Sequence, residues 1–328
     1  MRSFWFAVLL LLSVGAGLLG CDTTATPPES QVAVEAYLRA QAPLPAVQLT
    51  RTVEATETFD PRDQAVEGAS VTVQRLDDEG SVVETTAYDA TDTPGIYAPE
   101  PSSPPTVKPE ATYRLTVDTG EDPLITSTTT VPDTLSILAV ENTREGPNST
   151  VDTAAFQTDA QQPALTVTAQ EDPLFDRQSV YLFTVTSRPS GGDLIAEDLT
   201  PLYCDSYDAE EDSLESFRVN SSGLLNEANF DRSNGTLTVD LPWLGVAFFG
   251  PNDVAINVVG ENYYDFLRST SAQEMAPPGE FPNIIEHVEN GTGIFGSYAQ
   301  AAVTIDFTRG EKFRGDAFPG GEYRCVDR

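Results

Sequence analysis

The chain has 328 residues, 40% of them hydrophobic, and carries 51 acidic against 18 basic side chains, a formal charge of −33. That balance excludes nucleic acid as a partner, because phosphate binding needs a basic face. One histidine and three cysteines are too few for a structural zinc site, no D-x-D-x-D-G calcium loop occurs, and no metal is expected.

Residues 1–20, MRSFWFAVLLLLSVGAGLLG, place Arg2 before an apolar run from Phe4 to Val14 and end in small residues, the layout of a secretory signal peptide. Leu18-Leu19-Gly20-Cys21 resembles the lipobox of bacterial lipoproteins. It implies cleavage before Cys21 and acylation of its thiol and new amino terminus. Losing Arg2 with the signal changes the charge from −33 to −34. Several acyl chains anchor a body durably where one alone binds marginally. Beyond Cys21 no apolar run approaches the roughly 20 residues of a spanning helix. With Cys21, residues 22–30, DTTATPPES, form a tether over 21–30, able to reach about 30 Å at roughly 3.3 Å per residue.

From Gln31 the texture is β, and roughly 300 residues of it suggest two domains. Val71 and Val73 alternate with Thr72 and Gln74, turn residues follow at Asp77-Asp78-Glu79-Gly80, and Val82-Val83 restart a strand, which predicts a hairpin. Gly95-Ile96-Tyr97, Tyr113 to Val117 and Thr126 to Val131 read as further strands. The strings GASVTVQRLDDEG, PGIY and VKPEATYRLTV resemble the small Ig-like, prealbumin-type sandwich of exported bacterial proteins. The resemblance implies such a sandwich over residues 31–135, a unit that serves mostly as a spacer.

Pro132-Asp133 ends that unit, and Glu141 to Asp152 reads as a linker or long loop. Strand-like runs resume at Ala164–Thr168, Val180–Val185, Gly235–Leu241 and Val254–Val259, predicting a larger β-sandwich-like domain over residues 136–328. The acidic run Asp208–Asp212 within it reads as a solvated loop. Glu261 to Ser269 sets apolar residues at 263, 264, 266 and 267 with no Gly or Pro, a short amphipathic helix lidding one end. The expected fold class is therefore all-β with one short helix. Export places Cys204 and Cys325 in an oxidising space, where a disulfide between them would staple the C-terminus to the body.

Residues 289–307, ENGTGIFGSYAQAAVTIDF, contain Gly291-x-Gly293-x-x-Gly296, the letters of a dinucleotide fingerprint, with Asp316 twenty positions beyond the last glycine. The fingerprint works only between a strand and a helix of a βαβ unit. Here Val303, Ile305 and Phe307 alternate with Thr304 and Asp306 as a half-buried strand. Only 32 residues follow Gly296, too few for the remaining Rossmann strands, so no cofactor is expected. The glycines read instead as backbone devices. Asn290-Gly291 is a turn, while Gly293 and Gly296 flank Ile294-Phe295 where the chain passes closely over a packed surface.

The wider string VVGENYYDFLRSTSAQ…FPNIIEHVENGTGIFGSYAQAAVTIDF resembles the C-terminal signature of the domain-of-unknown-function 4249 family of Bacteroidota-type outer-membrane lipoproteins. Members show an N-I-x-x-G-x-G-I-F-G-like string after a helix bearing Tyr and Leu. Gly291, Gly293, Ile294, Phe295 and Gly296 fill its second half, and His287-Val288 stand where Asn-Ile belongs. DPLFDRQSVYLFTV and VEAYLRAQAPLPAVQLTRT upstream fit the same layout. The resemblance implies an outer-membrane, lipid-anchored body, on its periplasmic or surface face, and a TonB-dependent receptor as partner. It implies no reaction, since the family has none assigned.

The chain has no H-E-x-x-H, G-x-S-x-G, P-loop or C-x-x-C. His287 lies among apolar neighbours and reads as a satisfied or surface imidazole. Trp243, Phe248 and Phe249 could stack on a sugar or peptide, or belong to a core. The N-x-S/T strings at Asn148, Asn220, Asn234 and Asn290 fall in predicted turns. An acidic surface with two lysines, Lys108 and Lys312, suits high salt, where self-repulsion is screened; a lysine-poor genome leaves the same composition. The leading expectation is a non-enzymatic binding or accessory lipoprotein with an unknown ligand. A structural or adhesive envelope component is the alternative, and a carboxylate-based hydrolase the third.

Overall fold

In the computed structural model, the described residues are 30–309 except 55–56, 101–103, 146–151, 157–161, 171–178, 190–191, 205–206, 209–211, 243–244 and 278–281. Strands dominate, and most pair antiparallel. The first unit is built from β1 (Val32–Arg39), β2 (Val47–Arg51), β3 (Ser70–Leu76), β4 (Val82–Ala90), β5 (Ile96–Pro99), β6 (Thr112–Asp118) and β7 (Ile125–Thr130). β1 shows why these segments are strands. Val32, Val34, Ala36 and Leu38 point inward while Ala33, Glu35, Tyr37 and Arg39 point out, a period of two that only extended chain can present. The predicted hairpin forms, with Val71 opposite Tyr88 and Val73 opposite Thr86. Asp77 closes it by accepting from the Ser81 and Glu79 amides at 2.7 and 3.1 Å.

Two strands from the far end of the sequence complete this unit. β18 (Val288–Glu289) pairs with β7, and the start of β19 (Thr292–Arg309) runs parallel to β1. The turn at Asn290-Gly291 joins them. The strand path β19-β1-β2-β5-β4-β3-β6-β7-β18 thus begins and ends on one hairpin, and the sheet folds round a core that includes Leu38, Leu49, Tyr97, Leu115, Ile125 and Phe295. Chain from 288 to 298 therefore lies in the first unit, although it falls inside the stretch 136–328 assigned by sequence to the second.

The second unit is a sandwich. One layer contains β12 (Val180–Ser187), β17 (Gly250–Val259) and the later part of β19, edged by β13 (Val219–Ser221), β14 (Leu225–Asn226), β9 (Arg144–Glu145) and β10 (Asp152–Phe156). The other layer has the order β15-β16-β11-β8, from Asp231–Ser233, Thr236–Asp240, Ala164–Thr168 and Ile137–Glu141. Between them lie Phe156, Leu165, Tyr181, Phe183, Leu237, Val239, Ile256 and Phe307. β9 and β10 fall within and just beyond the stretch read as a linker. Asn234 and Gly235 both take positive φ, 50° and 78°, in the two-residue turn between β15 and β16.

Among the described residues, a four-residue helix, α1 (Pro201–Cys204), precedes one long helix, α2 (Glu261–Glu274). α2 runs five residues past the predicted end because nothing breaks it before Pro277, which biases its predecessor out of helical geometry. Gly260 precedes it where a Cβ would sit 2.3 Å from Ser297 Oγ. Asn262, the second residue of the helix, is buried and donates to the Thr128 and Phe295 carbonyls at 2.9 and 3.0 Å. Asn262→Ala strands two carbonyls and is expected to cost about 2 kcal/mol, read as a lower denaturation midpoint.

Arg51 pairs with Asp122 in the loop before β7, Nη2 to Oδ2 at 2.7 Å, and Thr119 donates to the same oxygen at 2.9 Å. The Arg51 hydrogen bond, then that of Thr119, holds the Asp122 carboxyl below its ordinary range. A depressed folded pKa contributes stability above the unfolded value, about 3.9, and the contribution vanishes as pH falls through the folded one. Asp122→Asn should lower the melting temperature by about 2 °C at pH 6, a surface-pair effect. The deficit should shrink as pH drops below about 3.9, which thermal scans between pH 6 and pH 2.5 would follow.

Candidate functional site

Layering makes one face of β12, β17 and β19 the sandwich interior and turns the other outward. Register sets the outward side chains in rows across the three strands: Leu182–Asn257–Gln300, Thr184–Ala255–Ala302 and Thr186–Asp253–Thr304. Neighbouring strands lie about 4.8 Å apart and alternate residues about 6.7 Å apart along a strand, so the rows tile a surface of roughly 13 by 10 Å. The middle row carries two methyls where its neighbours carry amides and a carboxylate. A groove of ≈ 380 Å³ opens there, lined by the second and third rows together with Gln300, Val303 and Arg188, while Leu182 and Asn257 are buried behind its edge.

Hydrogen bonds fix both walls. On one side Arg39 Nη1 donates to Gln300 Oε1 at 3.1 Å, and Gln300 Nε2 to Asn257 Oδ1 at 2.8 Å. Asn257 Nδ2 in turn donates to Thr184 Oγ1 at 3.1 Å and to the Leu182 carbonyl at 3.2 Å. The chain of donors crosses four strands in one direction. On the other side Asp253 accepts from Thr304 Oγ1 at 2.7 Å and pairs with Arg188. Such satisfied networks hold side chains in place before any ligand arrives.

Both ends of the face are flanked. Toward β1, α2 lays Tyr263, Tyr264 and Leu267 on Val180, Leu182 and Val259. Tyr263 contacts Tyr37 and Tyr298, with ring centroids 5.1 and 6.2 Å apart. Burial, the leading cause, raises the pKa of all three phenols, so each keeps its proton at neutral pH. At the other end Arg188 joins Leu194, Asp198 and Phe249 around a smaller cavity of ≈ 170 Å³.

The residues singled out from sequence lie elsewhere. Asn290 takes φ 59° and donates to the Leu124 carbonyl at 2.8 Å. A Cβ at Gly291 would meet the Val32 carbonyl oxygen at 2.8 Å and one at Gly293 the Val34 oxygen at 2.2 Å, while at Gly296 the neighbours are Ile294 and Tyr263 at 3.1 Å. Ile294 and Phe295 are buried beside them. The glycines thus let the turn and β19 approach β1 and α2; Gly291 sits in the turn, and Gly293 and Gly296 lie within the strand. His287 Nε2 is 2.9 Å from Asp265 Oδ2 on α2, and Ser269 Oγ accepts from the Ile285 amide at 3.0 Å, so residues 285–287 are strapped along the helix.

Phe248 is buried with Leu199 and Ala247, and Phe249 packs edge-on against Phe156 at 5.8 Å. Cys204 is disulfide-bonded; Cys21, Cys325, Trp243 and Asn148 lie outside the described residues. Alkylation of the denatured, unreduced protein should leave Cys204 unmodified, as peptide mass spectrometry would show. Glu227 is buried, paired with Arg232, and accepts from the Ser179 amide at 2.8 Å, which ties β12 to β15. Among the described residues no group of His, Cys, Asp and Glu could hold a metal, and no helix is long and apolar enough to cross a membrane.

None of the groove residues stood out in the sequence. The signal was there as Thr184, Thr186 and Arg188 at alternate positions, repeated by Asp253-Ala255-Asn257 and Gln300-Ala302-Thr304. Each triplet alone is the polar side of an ordinary strand.

A search of curated proteins finds no match. Among solved structures, Escherichia coli alpha-2-macroglobulin activated by porcine elastase aligns at 9% identity and TM-score 0.20, covering 85% of this chain and 20% of that one. Salmonella alpha-2-macroglobulin reacted with methylamine aligns at 12% and 0.23, covering 85% and 15%. The chain spans a fifth or less of their length, and likeness at these scores carries no argument. The family model described as "Domain of unknown function (DUF4249)" matches residues 21–303, and the chain belongs to that family.

Proposed function

We propose that this protein is a lipid-anchored outer-membrane binding or accessory protein that works beside a TonB-dependent uptake receptor, with contact rather than bond-making as its task. The hydrogen-bonded groove on the outer face of β12, β17 and β19 carries this reading. Its walls are ordered in advance, which lowers the entropic cost of capture. The lipobox at Leu18–Cys21 and the short tether support it from the sequence side, since the first strand starts at Val32. A tether of that length keeps the start of the first strand within about 35 Å of the bilayer.

Affinity purification of the full-length lipoprotein from mildly solubilised envelopes tests the partnership. A receptor barrel should co-purify, and repeated recovery of the lipoprotein alone counts against it. Cys21→Ala should abolish palmitate labelling and release the body into the soluble fraction. A membrane-bound, unlabelled wild-type protein would remove the anchor from the proposal.

A further inference from the structure

The geometry points to a neutral oligosaccharide as the ligand of the groove over Ala255 and Ala302, an assignment that rests on the binding reading above and names its ligand class. The walls leave particular hydrogen-bonding valences open. Thr184 Oγ1 already accepts from Asn257, so its own proton remains to be donated. Thr304 donates its proton to Asp253, so its lone pairs remain to accept. Thr186, beside Asp253 in the same row, has a hydroxyl that can do either.

A ligand over the floor therefore meets donors and acceptors interleaved at fixed points. Hydroxyl groups match such a pattern, since each gives one proton and accepts others. A bare carboxylate or phosphate only accepts, and would lie against Asp253 in a chain of charge −33. An ammonium only donates, which leaves the Thr184 proton without an acceptor, and Asp253, the carboxylate it would need, is already paired with Arg188. Because Asp253 pairs with Arg188, the groove itself is close to electrically balanced, which favours an uncharged guest.

Shape agrees with chemistry. The exposed methyl of Ala302, with Ala255 buried beside it, forms a shallow floor on which the C–H face of a sugar ring can lie, between Gln300 on one side and Thr186, Asp253 and Thr304 on the other. A groove of ≈ 380 Å³ falls in the lower part of the range typical of small-ligand sites and suits a di- or trisaccharide. An extended peptide would need a free strand edge for main-chain bonds. Here β17 is paired on both sides, with β12 and β19.

Saturation-transfer NMR and calorimetry on the full-length lipoprotein in a detergent without sugar headgroups provide the test. The probes are maltotriose, cellotriose, xylotriose and chitotriose, against trigalacturonate, spermidine and trialanine. At least one neutral trisaccharide should bind, with the three comparison compounds silent. Ala302 is exposed, so Ala302→Trp should fill the groove with the melting temperature nearly unchanged and weaken that sugar at least about tenfold. Silence of all four neutral sugars overturns the assignment, as does sugar binding that survives Ala302→Trp. Recovery of a receptor from envelopes with every sugar silent sinks the ligand class alone. Sugar binding by a protein that recovers no receptor sinks the accessory role and leaves the groove.

Discussion

Gly293→Ala is expected to lower the unfolding free energy by about 3–5 kcal/mol, the sum of backbone strain and a forced displacement. Gly293 sits in β19 opposite Val34 of β1 with φ 93°, where a side chain is strained in any surroundings. Space is the larger difficulty. A Cβ would fall 2.2 Å from the Val34 carbonyl oxygen and 2.9 Å from its nitrogen. That neighbour is backbone and cannot rotate away, because β1 is held on its other side by β2 and from within by the buried Val32 and Val34. Gly80→Ala makes the comparison clean: φ is 80° with nothing within 4 Å, so strain alone should cost about 1 kcal/mol. Denaturant midpoints for the two variants separate the causes. Equal losses would mean that conformation, not close approach, makes Gly293 necessary.

Phe295→Ala is expected to cost about 3–5 kcal/mol and to loosen both units at once. Phe295 is 1% exposed and packs in the first core, while Phe307, twelve residues on in the same strand and also 1% exposed, packs in the second. Both are rows of one continuous ladder, β1 along the first part of β19 and β17 along the rest. Removing either ring leaves a cavity at one end of that strand. Hydrogen exchange should then speed up in β6 and in β16 together, for Phe295→Ala and Phe307→Ala alike. Acceleration confined to β6 in the first variant and to β16 in the second would show that the units open separately.

Local periodicity made much of the fold legible. β11 is Ala164–Thr168, the span its alternation predicts, and the β3–β4 hairpin turns on the acidic and glycine residues that mark it in the sequence. Such features depend on neighbours a few positions apart, and so does the Gly291–Gly296 string, whose family membership could be read from its letters. Partners of strands could not be read this way. Pairing β1 with residues 292–298 joins chain more than 250 positions apart, and nothing in either segment's pattern names the other.

For the groove the division is sharper. Thr184, Ala255 and Ala302 form one row only because β12, β17 and β19 align in a single register. A shift of one residue would turn each of them inward. Sequence by itself determined the strand phases, the turn glycines, the acidic surface and the family. Tertiary pairing alone decided that one strand serves two cores and that two small residues lie between two polar walls, because a site made across strands exists in no single stretch of chain.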